Sequence, residues 1–116
     1  MEEGYNKLNI YWTFDNPGCF KFMVRKMALD AIKQEHCESV KLTLFGPTTK
    51  LAAEQEDVRN GLLELMSCGV SVIACEDSVR QYQVREALES IGGIEIKKLA
   101  KRAVDGALPG EKIVSM

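Results

Sequence analysis

The chain has 116 residues, of which 46% are hydrophobic and 28% charged, and its formal net charge is −2. These values predict one soluble globular domain spanning 1–116, large enough to need no stapling disulfide or metal. The basic residues form no cluster that would follow a phosphate backbone, and no apolar run approaches the ~20 residues of a membrane span. Met1–Lys7 is acidic and polar, unlike a secretory signal. We therefore expect a cytoplasmic protein that binds neither nucleic acid nor membranes.

The first half of the chain alternates between strand and helix patterns. Leu8–Phe14 is rich in aromatic and β-branched residues and predicts a strand, which ends at the turn cluster Asp15–Gly18. Apolar residues at three- and four-residue spacing then predict a helix over 20–32. Val40–Phe45 alternates as a second strand. Lys50–Ser67 has the broad apolar face that is typical of a single helix.

The second half continues the alternation. Val70–Ala74 is a short β-branched run that predicts a third, buried strand. A helix is expected over Val79–Ser90, where a pair of glycines ends it. Ile94–Ile96 predicts a short fourth strand. A short helix over Leu99–Leu108 and a final strand over Lys112–Met116 complete the chain.

This order of elements predicts the fold class. Strands that alternate with helices favour a mostly parallel, five-stranded sheet, and right-handed crossovers would place helices on both faces. The expected architecture is a three-layer α/β/α sandwich of flavodoxin-like general form. Because parallel strands are usually buried on both faces, Tyr11, Trp12 and Phe14 are expected in the core.

Cys75 stands where the third strand passes into a helix. Ser78 and Gln81 fit a capping box, in which Ser78 is the N-cap and the helix begins directly after it. Open α/β folds bind their ligands at this carboxyl edge of the sheet, and the positive end of a helix favours a thiolate. The neighbouring Glu76 and Asp77 would oppose that effect. Cysteines at strand ends are most often packing residues, so position alone does not make Cys75 a nucleophile.

The predicted layout separates the four cysteines. Cys19 and Cys75 follow strands and share the carboxyl edge, whereas Cys37 and Cys68 end helices at the opposite edge. Cys68 and Cys75 are separated by a whole strand, which is too far for a disulfide. Cys19 is therefore the one internal partner that Cys75 could reach, and Cys37 and Cys68 are expected to be inert packing thiols. Without a C-x-x-C pair or a histidine at ligand spacing, no metal site is expected.

Two segments resemble the DsrE/DsrF-like (TusD-like) sulfur-relay family. Phe45–Leu51 is similar to the family's Trp-Gly-Pro-Ser-x-x-Leu type of segment, and Cys68–Cys75 resembles the Gly-Val-x-Val-x-Ala-Cys segment that carries its sulfur-binding cysteine. Some relatives have a second cysteine where this chain has Ser78, which weakens a dithiol role and leaves a single-thiol role intact. The resemblance extends from the first strand to the C-terminus.

The resemblance implies a sulfur-relay protein in which Cys75 accepts and transfers sulfane sulfur as a covalent persulfide, with no other cofactor. It also implies donor and acceptor proteins and a homo-oligomer (a dimer, trimer or hexamer). Two alternatives stay open: a module that binds a small ligand or anion without catalysis, and an oligomeric scaffold without sulfur chemistry. The residues expected to line a pocket beside Cys75 are Asp15, Asn16, Cys19, Gly46, Pro47, Thr48, Glu76, Asp77 and Ser78.

Overall fold

The computed structural model describes residues 5–35, 37–99 and 106–116. Its strands are β1 (Lys7–Trp12), β2 (Ser39–Leu44), β3 (Ser71–Cys75), β4 (Glu95–Lys97) and β5 (Glu111–Ser115). They form one parallel sheet in the order β4-β3-β2-β1-β5. The predicted α/β class with a five-stranded parallel sheet is confirmed, and each strand lies within two residues of its expected bounds.

The helical segments follow β1, β2 and β3 in turn. They are α1 (Pro17–Cys19), α2 (Arg25–Ile32), α3 (Pro47–Glu54), α4 (Glu56–Ser67), α5 (Glu76–Tyr82) and α6 (Arg85–Ile91), with a π-helical turn, Phe20–Val24, joining α1 to α2. The first predicted helix therefore begins earlier than expected, at Pro17. Proline suits the first helical turn because its missing N–H would have no partner there.

Two helices that the sequence predicted as single are each broken. Gln55 adopts an extended conformation between α3 and α4, and Gln83 adopts a left-handed one, with φ of 57°, after α5. The apolar side chains on both sides of each break still contribute to the same core. The predictions of Lys50–Ser67 and Val79–Ser90 as single helices are wrong. The spacing of the apolar residues is the same as in one continuous helix, so it gave no sign of either break.

All described helices pack on one face of the sheet. The chain steps from β1 through β2 and β3 to β4 in one direction, and right-handed crossovers then place every intervening helix on the same side. β4 and β5 stand at opposite edges of the sheet, and Leu99 and Leu108, from the connection between them, line a cavity on the opposite face. The helix predicted over Leu99–Leu108, which would supply a third layer, falls on this connection, and 100–105 lie outside the described residues.

The core lies between the sheet and these helices. Trp12 is fully buried, and its ring centroid lies 4.8 Å from that of Phe20 in the π-helical turn. The Phe20 ring in turn lies against the bare backbone of Gly61 in α4, where an added Cβ would stand 2.6 Å from the ring. Gly61 therefore allows two helical segments to approach closely, which explains a glycine inside a helix.

The expected burial of the β1 aromatic residues is only partly found. Trp12 is in the core, Tyr11 is half-buried, and Phe14 is 57% exposed. The prediction for Phe14 is wrong because β1 ends at Trp12, and the backbone N–H groups of Thr13 and Phe14 donate to the carbonyl of Met116 beyond the strand.

Candidate functional site

Cys75 is the last residue of β3 and the N-cap of α5. The two residues of β3 that alternate with it, Val72 and Ala74, belong to the core under the helices, whereas Ile73 and Cys75 are buried outside that cluster. Cys75 therefore points away from the helical layer, toward the opposite face of the sheet. Its side chain is 6% exposed, and in register it pairs with Lys97 of β4.

The capping box predicted at Ser78 and Gln81 is wrong, because the helix begins three residues earlier. Ser78 lies inside the first turn of α5, is buried, and its hydroxyl accepts a 2.7 Å hydrogen bond from the backbone N–H of Gly46. Gly46 has φ of 61° and ψ of −135°, a conformation that favours glycine. This bond joins the end of β2 to the turn of α5 that follows Cys75.

Side-chain hydrogen bonds to backbone carbonyls fix the position of the segment that follows β2. Pro47 is the first residue of α3, and the buried Thr48 Oγ1 lies 3.1 Å from the carbonyl oxygen of Trp12 and 2.8 Å from that of Phe45. These bonds tie the carboxyl ends of β1 and β2 together. Gly46, Thr48 and Ser78, which were predicted to line a pocket, thus form a hydrogen-bonded carboxyl edge beside Cys75.

Asp15, Asn16 and Cys19 lie in the loop after β1 and in the short helix α1 that follows it. Asn16 Oδ1 accepts a 2.8 Å hydrogen bond from the N–H of Cys19 and so caps α1, while Asp15 is exposed. Cys19 is half-buried, with its Sγ 3.9 Å from Met23 Sδ one turn along the same helical segment. The thiols of Cys19 and Cys75 are both free, and the pairing of the two stays a prediction.

The two carboxylates that follow Cys75 are each matched by an arginine. Glu76 lies 3.8 Å from Arg85 of α6, and Asp77 forms an ion pair with Arg80 within α5. Each carboxylate that follows Cys75 therefore has a cation beside it at the protein surface.

The other two cysteines behave differently from each other. Cys37 is buried, with its Sγ 3.4 Å from the carbonyl oxygen of Ser39, as expected of a packing thiol. Cys68 is exposed, so its predicted packing role is wrong. It is the C-cap of α4, where its backbone N–H bonds the carbonyls of the last turn while its side chain faces solvent.

Sequence reasoning missed a cavity of about 230 Å³ on the face that Cys75 shares. Lys41 and Thr43 of β2 line it, together with Ile73 and Lys97. Ile73 precedes Cys75 by two residues, and Lys97 is the register partner of Cys75. The rest of the lining is Asn9, Tyr11, Leu99 and Leu108. The available signal was the alternation of polar residues along β1 and β2, which marks a face without an apolar helical layer.

The cavity is lined by basic and hydrogen-bonded polar side chains as well as apolar ones. The side chain of Thr43, 1% exposed, donates to Asn9 Oδ1 at 2.9 Å. Lys97 lies 3.5 Å from the carboxylate of Glu95, whereas no carboxylate of the described ranges lies within ion-pair distance of Lys41. The ammonium groups of Lys41 and Lys97, beside buried polar groups, suit a small anion, while Asn9 Nδ2 donates to the Glu111 carboxylate at 3.4 Å and brings one negative charge next to the cavity.

The described residues show neither a metal-binding cluster of histidine, cysteine and acidic side chains nor a membrane-spanning helix. Within 5–35, 37–99 and 106–116, no three histidine, cysteine or acidic side chains come together as metal ligands would. No helix in those same ranges has the length and apolar character required to span a bilayer.

Similarity to known proteins is seen in structure rather than in sequence. No protein-family profile and no curated protein sequence matches the chain. A conserved protein of unknown function from Bacteroides thetaiotaomicron, BT1422, is similar with a TM-score of 0.86 and 27% identity, over 96% of this chain and 95% of that one. The ychN protein from E. coli is similar with a TM-score of 0.71 and 18% identity, over 96% and 99% of the two chains. The chain therefore has the fold of YchN, which is DsrE-like.

Proposed function

We propose that this chain is a sulfur carrier that holds sulfane sulfur as a persulfide on Cys75. One observation carries the proposal: in a DsrE-like fold, Cys75 ends β3 at the carboxyl edge of the sheet and lies outside the helical core. A thiol that serves packing alone is expected inside that core, as Cys37 is.

The chemistry is thiol exchange in two steps. The Cys75 thiolate attacks the outer sulfur of a donor persulfide, a new S–S bond forms, and the donor leaves as a thiolate. An acceptor thiolate then attacks the outer sulfur on Cys75, which is released as its thiolate. Each step breaks one S–S bond and forms another, so no external oxidant or reductant is consumed.

Burial of Cys75 fits a carrier better than a general-purpose nucleophile. At 6% exposure the thiol is shielded from bulk oxidants and bulky reagents. A small persulfide loads the thiol directly, and donor and acceptor proteins meet it at the carboxyl edge of the sheet. Glu76 and Asp77, each paired with an arginine, give the nearby surface both signs of charge with which to orient such partners.

Mass spectrometry tests the proposal directly. The protein is incubated with a low-molecular-weight persulfide in a Cys68→Ser background, which removes the exposed thiol. We expect a gain of one sulfur atom on Cys75 that a reductant reverses. The gain should be lost in Cys75→Ser and kept in Cys37→Ser, a matched control because both thiols are buried. Loading on Cys19 alone, or no loading of a folded protein, contradicts a carrier on Cys75.

The cavity favours a second candidate, a module that binds a small anion. This function predicts that phosphate or sulfate raises the melting temperature, that Lys41→Met removes the increase, and that Cys75→Ser leaves it intact. Lys50→Met is the control, because Lys50 is exposed on α3 and lies outside the cavity. Sulfur loading without an anion effect favours the carrier, and the reverse result favours the binding module.

A further inference from the structure

Four sulfur-containing side chains come together on the outer side of α2, away from Cys75. Cys19, Met23 and Met27 follow one another at four-residue spacing along the helical stretch from α1 through the π-helical turn to α2. Residues four apart lie on one side of a helix, and the Cys19 Sγ is 3.9 Å from the Met23 Sδ. Met23 and Met27 in turn line one hollow of about 330 Å³ with Met116. We name these four residues the α2 sulfur cluster.

The fold, rather than sequence spacing alone, completes the α2 sulfur cluster. Met116 directly follows β5, and its backbone N–H donates to the carbonyl of Tyr11 at 2.8 Å. Its own carbonyl accepts from the N–H groups of Thr13 and Phe14, so the residue is held beside the hollow. Met23 is 54% exposed, and the other three members are half-buried. A small ion can therefore reach the cluster from solvent.

The donor atoms of the cluster favour one class of metal ion. Thioether and thiolate sulfur atoms are soft ligands that select Cu(I), whereas zinc and magnesium sites need several thiolates, imidazoles or carboxylate oxygens. A single thiolate also neutralises the single charge of Cu(I). The charged residues that line the hollow, Lys26 and Asp30, are opposite in sign. The hollow therefore has no net charge that would repel the ion.

The separation of the sulfur atoms fits ligands that share one ion. Two sulfur ligands bound at about 2.3 Å in a trigonal arrangement stand about 4 Å apart. Cys19 Sγ and Met23 Sδ, at 3.9 Å, already have this separation. Methionine side chains are unbranched and flexible, so Met27 and Met116 can turn their sulfur atoms toward the same ion.

We propose that the α2 sulfur cluster binds one Cu(I) ion. Cys19 binds as a thiolate, its proton passes to solvent, and the methionines supply thioether ligands, with no transfer of electrons. The proposal does not depend on sulfur transfer, because α2 belongs to the helical layer and Cys75 points to the opposite face of the sheet. The sequence-based expectation of no metal site considered C-x-x-C pairs and histidines, and thioether ligands fall outside those patterns.

A competition titration tests the site. A coloured Cu(I)–chelator complex is titrated, without oxygen, with protein in a Cys68→Ser background, which removes the exposed thiol. We expect the protein to withdraw one Cu(I) per chain. Met23→Leu and Met27→Leu keep the size of the side chain without the thioether, and each should weaken binding by about tenfold or more. Met66→Leu is the matched control, since Met66 is half-buried on a helix like Met27 but lies outside the cluster.

X-ray absorption at the copper edge examines the ligands directly. We expect an all-sulfur environment around the copper, with fewer sulfur neighbours in Met27→Leu. Cys75→Ser should leave the affinity and the spectrum unchanged, which separates this site from the proposed sulfur carrier. Affinity that both methionine substitutions leave unchanged would show binding by a thiol alone and overturns the proposal. A folded protein that withdraws no Cu(I), or one that loses its binding in Cys75→Ser, also overturns it.

Discussion

The two faces of the sheet differ in what covers them and in what they carry. On the helical face, β1 and β2 present fully apolar residues, which are Leu8, Ile10, Trp12, Val40, Leu42 and Leu44. On the opposite face, the same strands present Asn9, Tyr11, Lys41 and Thr43, and β3 adds Cys75. The helical face holds most of the apolar burial that stabilises the fold, and the opposite face holds polar side chains and the Cys75 thiol.

This division explains how a small domain can bury polar side chains without weakening its core. A polar group on the helical face would be desolvated among apolar side chains, at a cost of a few kcal/mol unless it is hydrogen-bonded. On the opposite face, the Thr43 hydroxyl donates to Asn9 Oδ1, Asn9 Nδ2 donates to the Glu111 carboxylate, and Lys41 reaches the cavity. Residues adjacent in sequence therefore serve different purposes, depending on the face to which they point.

The largest expected effect comes from a pair of adjacent substitutions in β2. Leu42→Ala removes a fully buried side chain from the helical face and should lower the free energy of unfolding by about 2–5 kcal/mol. Lys41→Ala truncates its neighbour on the opposite face and should cost about 1 kcal/mol or less. Urea unfolding measures both. Equal losses for the two variants would mean that the opposite face contributes as much to stability as the core does.

A smaller effect is expected from the buried hydrogen bond on the opposite face. Thr43→Val keeps the shape of the side chain but leaves Asn9 Oδ1 without its donor, which should cost about 1–3 kcal/mol. The double variant with Asn9→Leu removes both polar groups and should recover part of that loss. If Thr43→Val alone leaves urea unfolding unchanged, water reaches Asn9 Oδ1 and replaces the lost donor. The opposite face would then contribute even less to stability than its burial implies.

The sequence was sufficient to predict the sheet, because each strand has its own local composition and is bounded by turn residues. It also placed Cys75 at the end of β3, since a β-branched run that ends in a cysteine marks that position. The sequence did not predict the order of the strands in the sheet or the single face on which the helices lie. Both depend on how the crossovers are arranged. The alternating pattern of β1 contained part of that information in Asn9, which a strand buried on both faces would not favour.

The details of the site were less accessible, because they depend on tertiary neighbours. Ser78 has the spacing of a helix cap, yet its hydroxyl bonds to Gly46, which is 32 residues away in the chain. The exposure of Cys68 follows from the geometry of the α4 terminus rather than from its residue type. The alternation of Lys41 with apolar residues marks a polar face of β2, but the cavity itself also requires Lys97 and Ile73 from two other strands.

The smallest expected effect concerns the outer surface of the helical layer, where Arg25 and Glu64 form a two-bond ion pair at 2.7 and 3.1 Å. The hydrogen bond from the Arg25 guanidinium lowers the pKa of the Glu64 carboxyl below its usual value of 4.5. A carboxyl whose pKa is lower in the folded state stabilises the protein above its unfolded pKa, and that stabilisation is lost as the pH falls through the folded pKa.

Glu64→Gln should therefore lower the melting temperature slightly at neutral pH, and the difference from the unmodified chain should disappear in acid. Both side chains are partly exposed, so salt should also reduce the difference. Glu54→Gln is the control, because Glu54 forms no ion pair within the described ranges. A large loss at neutral pH that persists in acid would show that Glu64 supports the packing of α4 against α2. In that case the stability of the helical layer would not rest on apolar burial alone.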